Sequence, residues 1–180
     1  ASLSAYHLQQ QGHLLASARS RLMSDGVEST CLGTPYDLQK ARALLFEAGY
    51  PNGKGLSPVE LWSSVKYPSF VQEYDAMQKA WGELGLRVVI RYNTDWPSFV
   101  RDLEARKIPL YRYSWHADTP DPDDFLMNLF HSKGQRNYMG YHNPRVDDLL
   151  VEARRERTLE RRMALYRTAE QIILTDAPLV

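Results

Sequence analysis

Cysteine occurs once in the 180 residues, at Cys31. A lone thiol excludes an internal disulfide framework and any metal site built on several thiolates. Long apolar runs are missing too: the longest hold about four residues, far short of the roughly 20 that a membrane-spanning helix needs. No basic-then-apolar leader opens the chain, which therefore reads as cytosolic or as a processed or excised piece. Charge of one sign is not in excess either. Lys and Arg number 22 against 22 Asp and Glu, which leaves no basic stripe for a nucleic acid. The one basic run, "EARRERTLERR" (152–162), has interleaved glutamates and reads as a solvated helix face laced with Glu–Arg pairs. Internal repeats and low-complexity tracts are absent.

Catalytic signatures are equally scarce. The five histidines (His7, His13, His116, His131, His142) show no HExxH or paired spacing, so no zinc site is expected. His116 and Asp118 share a strand face at i and i+2 without making a triad, and no G-x-S-x-G elbow supplies a serine. "GYPNGKG" (49–55) is one residue short of a phosphate loop and follows a helix where such a loop follows a strand. It reads as a turn. The expectation is a non-catalytic chain with no metal and no cofactor.

What is present is an ordinary globular composition, 43% hydrophobic and 24% charged. It fits one domain, or one lobe of something larger. Residues 3–24 read as an amphipathic helix and 25–35 as a loop. In "YDLQKARALLFEAGY", Asp37 is placed to cap a helix and Gly49 to end it. "PVELWSS" (58–64) reads as a strand. Phe70, Tyr74, Met77, Trp81 and Leu84 then step by four, three, four and three along a helix closed by Gly85. "LRVVIRY" (86–92) is a second strand, Asp95 caps a short helix, and "PLYRYSW" (109–115) is a third strand. Helical patterns follow at 122–131, 144–156 and 158–175, and "TDAPLV" starts like another strand, as though the natural protein continues. The alternation predicts an α/β fold with a mainly parallel central sheet.

The segment "WHADTPDPDDF" (115–125) concentrates negative charge after the third strand. Helix physics accounts for three of its aspartates: Asp121 at the N-cap before Pro122, and Asp123 and Asp124 in the first turn near the positive end of the dipole. Asp118 is left over, beyond a strand's carboxyl end, where open α/β sheets bind ligands. It could receive an amine, cap a turn or pair with an arginine of its own chain. A calcium loop does not fit the spacing. Tyr111, Tyr113 and Trp115 would alternate onto one strand face, with Trp115 at the mouth, in the core or stacked on a ligand. Arg112 would point to the opposite face, towards a buried ion pair, a ligand carboxylate or the strand edge.

These motifs together resemble a known family. "YDLQKARALLFEAGYPNGKG" (36–55), "ELGLRVVI" (83–90), "DWPSFVRDL" (95–103), "WHADTPDPDDFLMNLF" (115–130), "NYMGYHNPRVDDLLVEAR" (137–154) and "ERRMALYRTAEQIILTDAPLV" (160–180) recur in order in the oligopeptide/dipeptide-binding solute-binding proteins of bacterial ABC importers. The resemblance implies a type II periplasmic-binding-protein lobe, incomplete here. Residues 36–180 would be part of the C-terminal lobe and 1–35 an N-terminal helical and loop segment of uncertain role. It implies that Asp118, in the Trp-x-x-Asp element, grips a ligand's free amino group. Trp115 would lie in the ligand cleft, and Arg112 would match an arginine that meets a ligand carboxylate in some members. It further implies non-catalytic capture of a peptide or other small solute by closure with a first lobe, then delivery to an ABC permease in the membrane. The setting would be the periplasm or cell envelope. Relatives also take metal chelates, sugars and opines. The competing expectation is a ligand-sensing domain of a cytoplasmic transcription regulator, which an upstream helix-turn-helix would favour, whereas a leader peptide would favour transport.

Overall fold

The structure is a computed structural model that describes residues 37–116 and 118–178. The helix expected over 3–24, the loop over 25–35 and the last two residues of "TDAPLV" lie outside them. The described residues form two compact units, 37–114 and 115–178, each with its own hydrophobic core.

In 37–114, helix α1 (Leu38–Glu47) starts where Asp37 accepts the Lys40 N–H at 2.9 Å. It stops in a Schellman arrangement: Gly49 takes φ 85°, its N–H bonds Phe46 O, and the Tyr50 N–H bonds Leu45 O. A 3-10 turn (Pro51–Gly53) follows. Gly53 there and Gly85 lie backbone against backbone, and a Cβ on either would run into the other's turn. "PNGKG" is thus a packing turn, as expected.

Strand β1 (Val59–Ser63) pairs in parallel with β2 (Val88–Tyr92), from Val59 opposite Val88 to Ser63 opposite Tyr92. Helix α2 (Pro68–Gly82) connects them. Its Tyr74 and Trp81 are fully buried, and Phe70 and Met77 pack against the same core, as the predicted face requires; the helix ends at Gly82, however, so the buried Leu84 lies just beyond it. Helix α3 (Trp96–Glu104), capped by Asp95 on Ser98, buries Phe99 and Leu103. Strand β3 (Leu110–Tyr111) then pairs in parallel on the other side of β1, giving among the described residues a three-stranded sheet in the order β2-β1-β3. The α/β expectation holds.

The third strand is far shorter than 109–115: β3 spans Leu110–Tyr111. The Arg112 N–H still reaches Trp62 O at 2.8 Å, but β1 then ends, and the Ser63 hydroxyl turns its chain by bonding Val65. Beyond Arg112 there is no strand left to pair with. Tyr111 and Tyr113 do meet edge to face, but Trp115 falls in the other unit.

That unit, 115–178, is helical: α4 (Pro122–Phe130), α5 (Pro144–Arg155) and α6 (Leu159–Asp176). Val146, Leu149, Leu150 and Ala153 recur at helical spacing on α5 and meet Leu126 and Phe130 of α4 and Tyr166, Ala169 and Ile173 of α6. Asn137 organises the α4–α5 loop from within. Its amide donates to His131 O and Tyr141 O and accepts the Tyr141 N–H.

Candidate functional site

Asp121, the N-cap of α4, accepts the Asp123 N–H at 2.9 Å, and Pro122 opens the first turn. The three helix-starting aspartates do more than start the helix, however. Asp121 receives a two-pronged contact from Arg162, at 2.7 and 2.8 Å. Asp123 takes Arg154 at 2.6–3.0 Å and the Tyr166 hydroxyl at 3.1 Å. Two arginines of "EARRERTLERR" thereby leave the expected Glu–Arg lacing and pin the start of α4 to α5 and α6. Burial alone would push the Asp121 carboxyl up, but the Arg162 bonds and the Asp123 N–H outweigh it and hold the group below its ordinary value. The Asp123 bonds push the Arg154 guanidinium up.

Asp124 points backwards. Its Oδ1 accepts the Trp115 indole N–H at 3.1 Å and the Asn128 amide at 3.0 Å. Its Oδ2 accepts the backbone N–H groups of Asp118 and Thr119 at 2.8 and 3.1 Å. Burial again opposes ionisation, and these bonds more than reverse it, leaving the carboxyl below its ordinary value.

Asp118 is exposed. Its backbone is held, yet among the described residues its carboxylate pairs with no cation and accepts no hydrogen bond. Trp115 is half-buried, with its edge on Asp124 and the Arg136 guanidinium 5.7 Å from its ring centre, within cation–π reach. The helical unit thus brings Trp115 and Asp118 together through one carboxylate. Arg112 belongs to the other unit. It lies 3.5 Å over the Phe70 ring and donates to Ser114 Oγ at 3.1 Å. Its Nε sits 3.8 Å from Glu73, near enough to attract but too far to hydrogen-bond, and so remains buried and unbonded.

Sequence reasoning passed over Asp124, Asn128 and Arg136. Asn128 carried a signal, lying one helical turn after Asp124, where an amide can reach the i−4 residue. A shallow cavity of about 380 Å³ elsewhere on the unit is lined by His131, Lys133, Asp147, Glu152 and Arg155, and by none of the expected site residues. There His131 Nδ1 accepts the Lys133 N–H, so its 4.0 Å approach to Asp147 is not a hydrogen bond. Among the described residues no cluster of His, Cys, Asp and Glu could hold a metal ion.

A mainly parallel open sheet flanked by helices, followed by a helical unit, is the architecture of a type II periplasmic-binding-protein lobe. Residues 9–137 match the family model of the bacterial extracellular solute-binding proteins, family 5, and the chain belongs to that family. The match takes in most of the opening segment, which the motif resemblance had left aside. Heme-binding protein A of Haemophilus influenzae is 30% identical over 80% of this chain and 27% of its own length. The glutathione-binding protein GsiB of Pectobacterium atrosepticum is 31% identical over 80% of this chain and 29% of its own. Among solved structures, the ABC transporter-associated periplasmic binding protein DppA of Helicobacter pylori, in complex with the peptide STSA, superposes with a TM-score of 0.71. It is 31% identical and covers 81% of this chain and 28% of its own. The chain therefore spans under a third of the length of these relatives.

Proposed function

We propose that this chain is part of a solute receptor that captures peptides bearing a free amino group, outside the cytoplasm, for uptake by an ABC importer. One observation carries the proposal. Three of the four clustered aspartates are committed to partners of their own chain, and the fourth, Asp118, is exposed, with a carboxylate that has no partner among the described residues. That is the arrangement an ammonium group would meet. Trp115, half-buried in the same unit, would form a rigid wall beside it. Closure of a second lobe would remove water from the ammonium–carboxylate pair, and the closed form would then be handed to a membrane permease. The peptide-bound Helicobacter protein supports the ligand class. Recognition here needs binding and closure, with no bond-making step.

The test is calorimetry on the product of the complete open reading frame that encodes the chain. Deleting one partner of a buried charge pair costs about 2–5 kcal/mol, or ~30-fold to several-thousand-fold in affinity. Asp118→Ala is expected to lose that much for free-amine tripeptides while barely changing affinity for their N-acetylated counterparts. Unchanged free-amine affinity in the variant would overturn the reading.

A further inference from the structure

Asp124 is spent neither on capping α4 nor on joining it to its neighbours. Asp121 caps the helix, and Asp121 and Asp123 hold α5 and α6. None of the α4 backbone N–H groups donates to the Asp124 side chain. Its two oxygens divide their work: Oδ1 takes the Trp115 edge and the Asn128 amide, and Oδ2 takes the two consecutive backbone N–H groups from which Asp118 and Thr119 project. Asn128 extends the reach. Its backbone oxygen accepts the Arg136 N–H at 3.0 Å, fixing the loop whose guanidinium lies by the Trp115 ring.

We infer that Asp124 is the positioning residue of the amine site, fixing both the indole of Trp115 and the direction in which Asp118 presents its carboxylate before a ligand arrives. The inference rests on the reading that Asp118 receives the ammonium. It names the group that keeps the site assembled. Two donor pairs converge on opposite oxygens, and only an ionised carboxylate offers two acceptor oxygens with no hydrogen of its own. An asparagine could satisfy one pair but would turn its N–H₂ against the other. A site left loose by that clash must order itself at the moment of binding, and affinity falls accordingly.

The experiment compares Asp124→Asn with Asp123→Asn in the product of the complete open reading frame. Both variants remove a negative charge from the first turn of α4, but only the first touches the site. Asp124→Asn is expected to weaken free-amine tripeptides by ~10- to ~100-fold, the range for a lost charge-assisted bond. It should also shrink the preference for free-amine over N-acetylated peptide. Asp123→Asn should stay within about twofold on both measures. With ¹⁵N-labelled tryptophan, the Trp115 indole N–H, assigned through Trp115→Phe, should shift and lose protection from solvent exchange in Asp124→Asn alone. That readout needs no ligand. Wild-type affinity and selectivity in Asp124→Asn, alongside loss in Asp118→Ala, would overturn this inference and leave the amine site standing. Equal losses in the two asparagine variants would overturn it as well, since general weakening of α4 would then suffice. Unchanged binding in Asp118→Ala would instead remove the amine site itself.

Discussion

Among the described residues, the sheet-containing unit and the helical unit each bury nine residues in their main core, so the number of core residues does not distinguish them. Their polar fastenings do. In 37–114 the hydrogen-bonded ion pair Glu60–Arg91 is largely exposed, Asp102–Lys107 spans 3.7 Å, and Arg112–Glu73 is too long to hydrogen-bond. The bulk of Trp81, Tyr74 and Phe99 holds that unit. In 115–178 the start of α4 is tied down by Asp121–Arg162 and Asp123–Arg154, both at hydrogen-bonding distance, and by the Asp124 cluster. Apolar burial positions a sheet but cannot aim a polar side chain. Directional, charge-assisted bonds can, and they are concentrated where Trp115 and Asp118 sit.

Three measurements sharpen or break that contrast. Trp81→Ala removes the largest buried side chain of the sheet unit and should destabilise it by about 3–5 kcal/mol. Native-state hydrogen exchange should show the loss within 37–114, and equal loss of protection in 115–178 would dissolve the distinction. Asp121→Ala removes a helix cap and a half-exposed ion pair, so about 1–2 kcal/mol is expected, confined to the helical unit.

Acid should give the smallest effect and the clearest sign. Asp121 and Asp124, both in the helical unit, have carboxyls held below their ordinary value of 3.8. Depressed acids contribute stability that is complete above the ordinary value and is lost as pH falls through the folded one. Exchange followed below about pH 4 should therefore open 115–178 first. Alkali should act on both units. Burial pushes up the phenol of Tyr74 in one and those of Tyr141 and, to about 12, Tyr166 in the other. A raised phenol contributes stability present below pH 10 and lost as pH rises through the folded value, so both units lose protection at that end.

Much of this was legible in the sequence, for a physical reason. Asp37, Asp95 and Asp121 cap their helices through partners two or three residues away, and Gly49 ends its helix through the turn just before it. Such rules are local. The Phe70-to-Leu84 stripe is periodic, so it too could be read. The truncation of β3 could not, because it depends on where β1 turns away, at Ser63. Nor could the second duties of Asp121 and Asp123, whose arginines lie 41 and 31 residues further on. Asp118 stood out in the sequence as spare, and the folded chain gives its carboxylate no partner among the described residues. Asp124 was read as one more helix-starter because nothing in the order of residues shows that it faces back towards Trp115.

The Asp118 segment is gripped by its main chain, through an amide hydrogen that every residue except proline possesses. The side chain at 118 is thus an interchangeable tip in a fixed socket. Asparagine, serine or lysine placed there would keep the same anchor while changing the charge shown to solvent, which makes this single position a dial that can be turned without disturbing its mount.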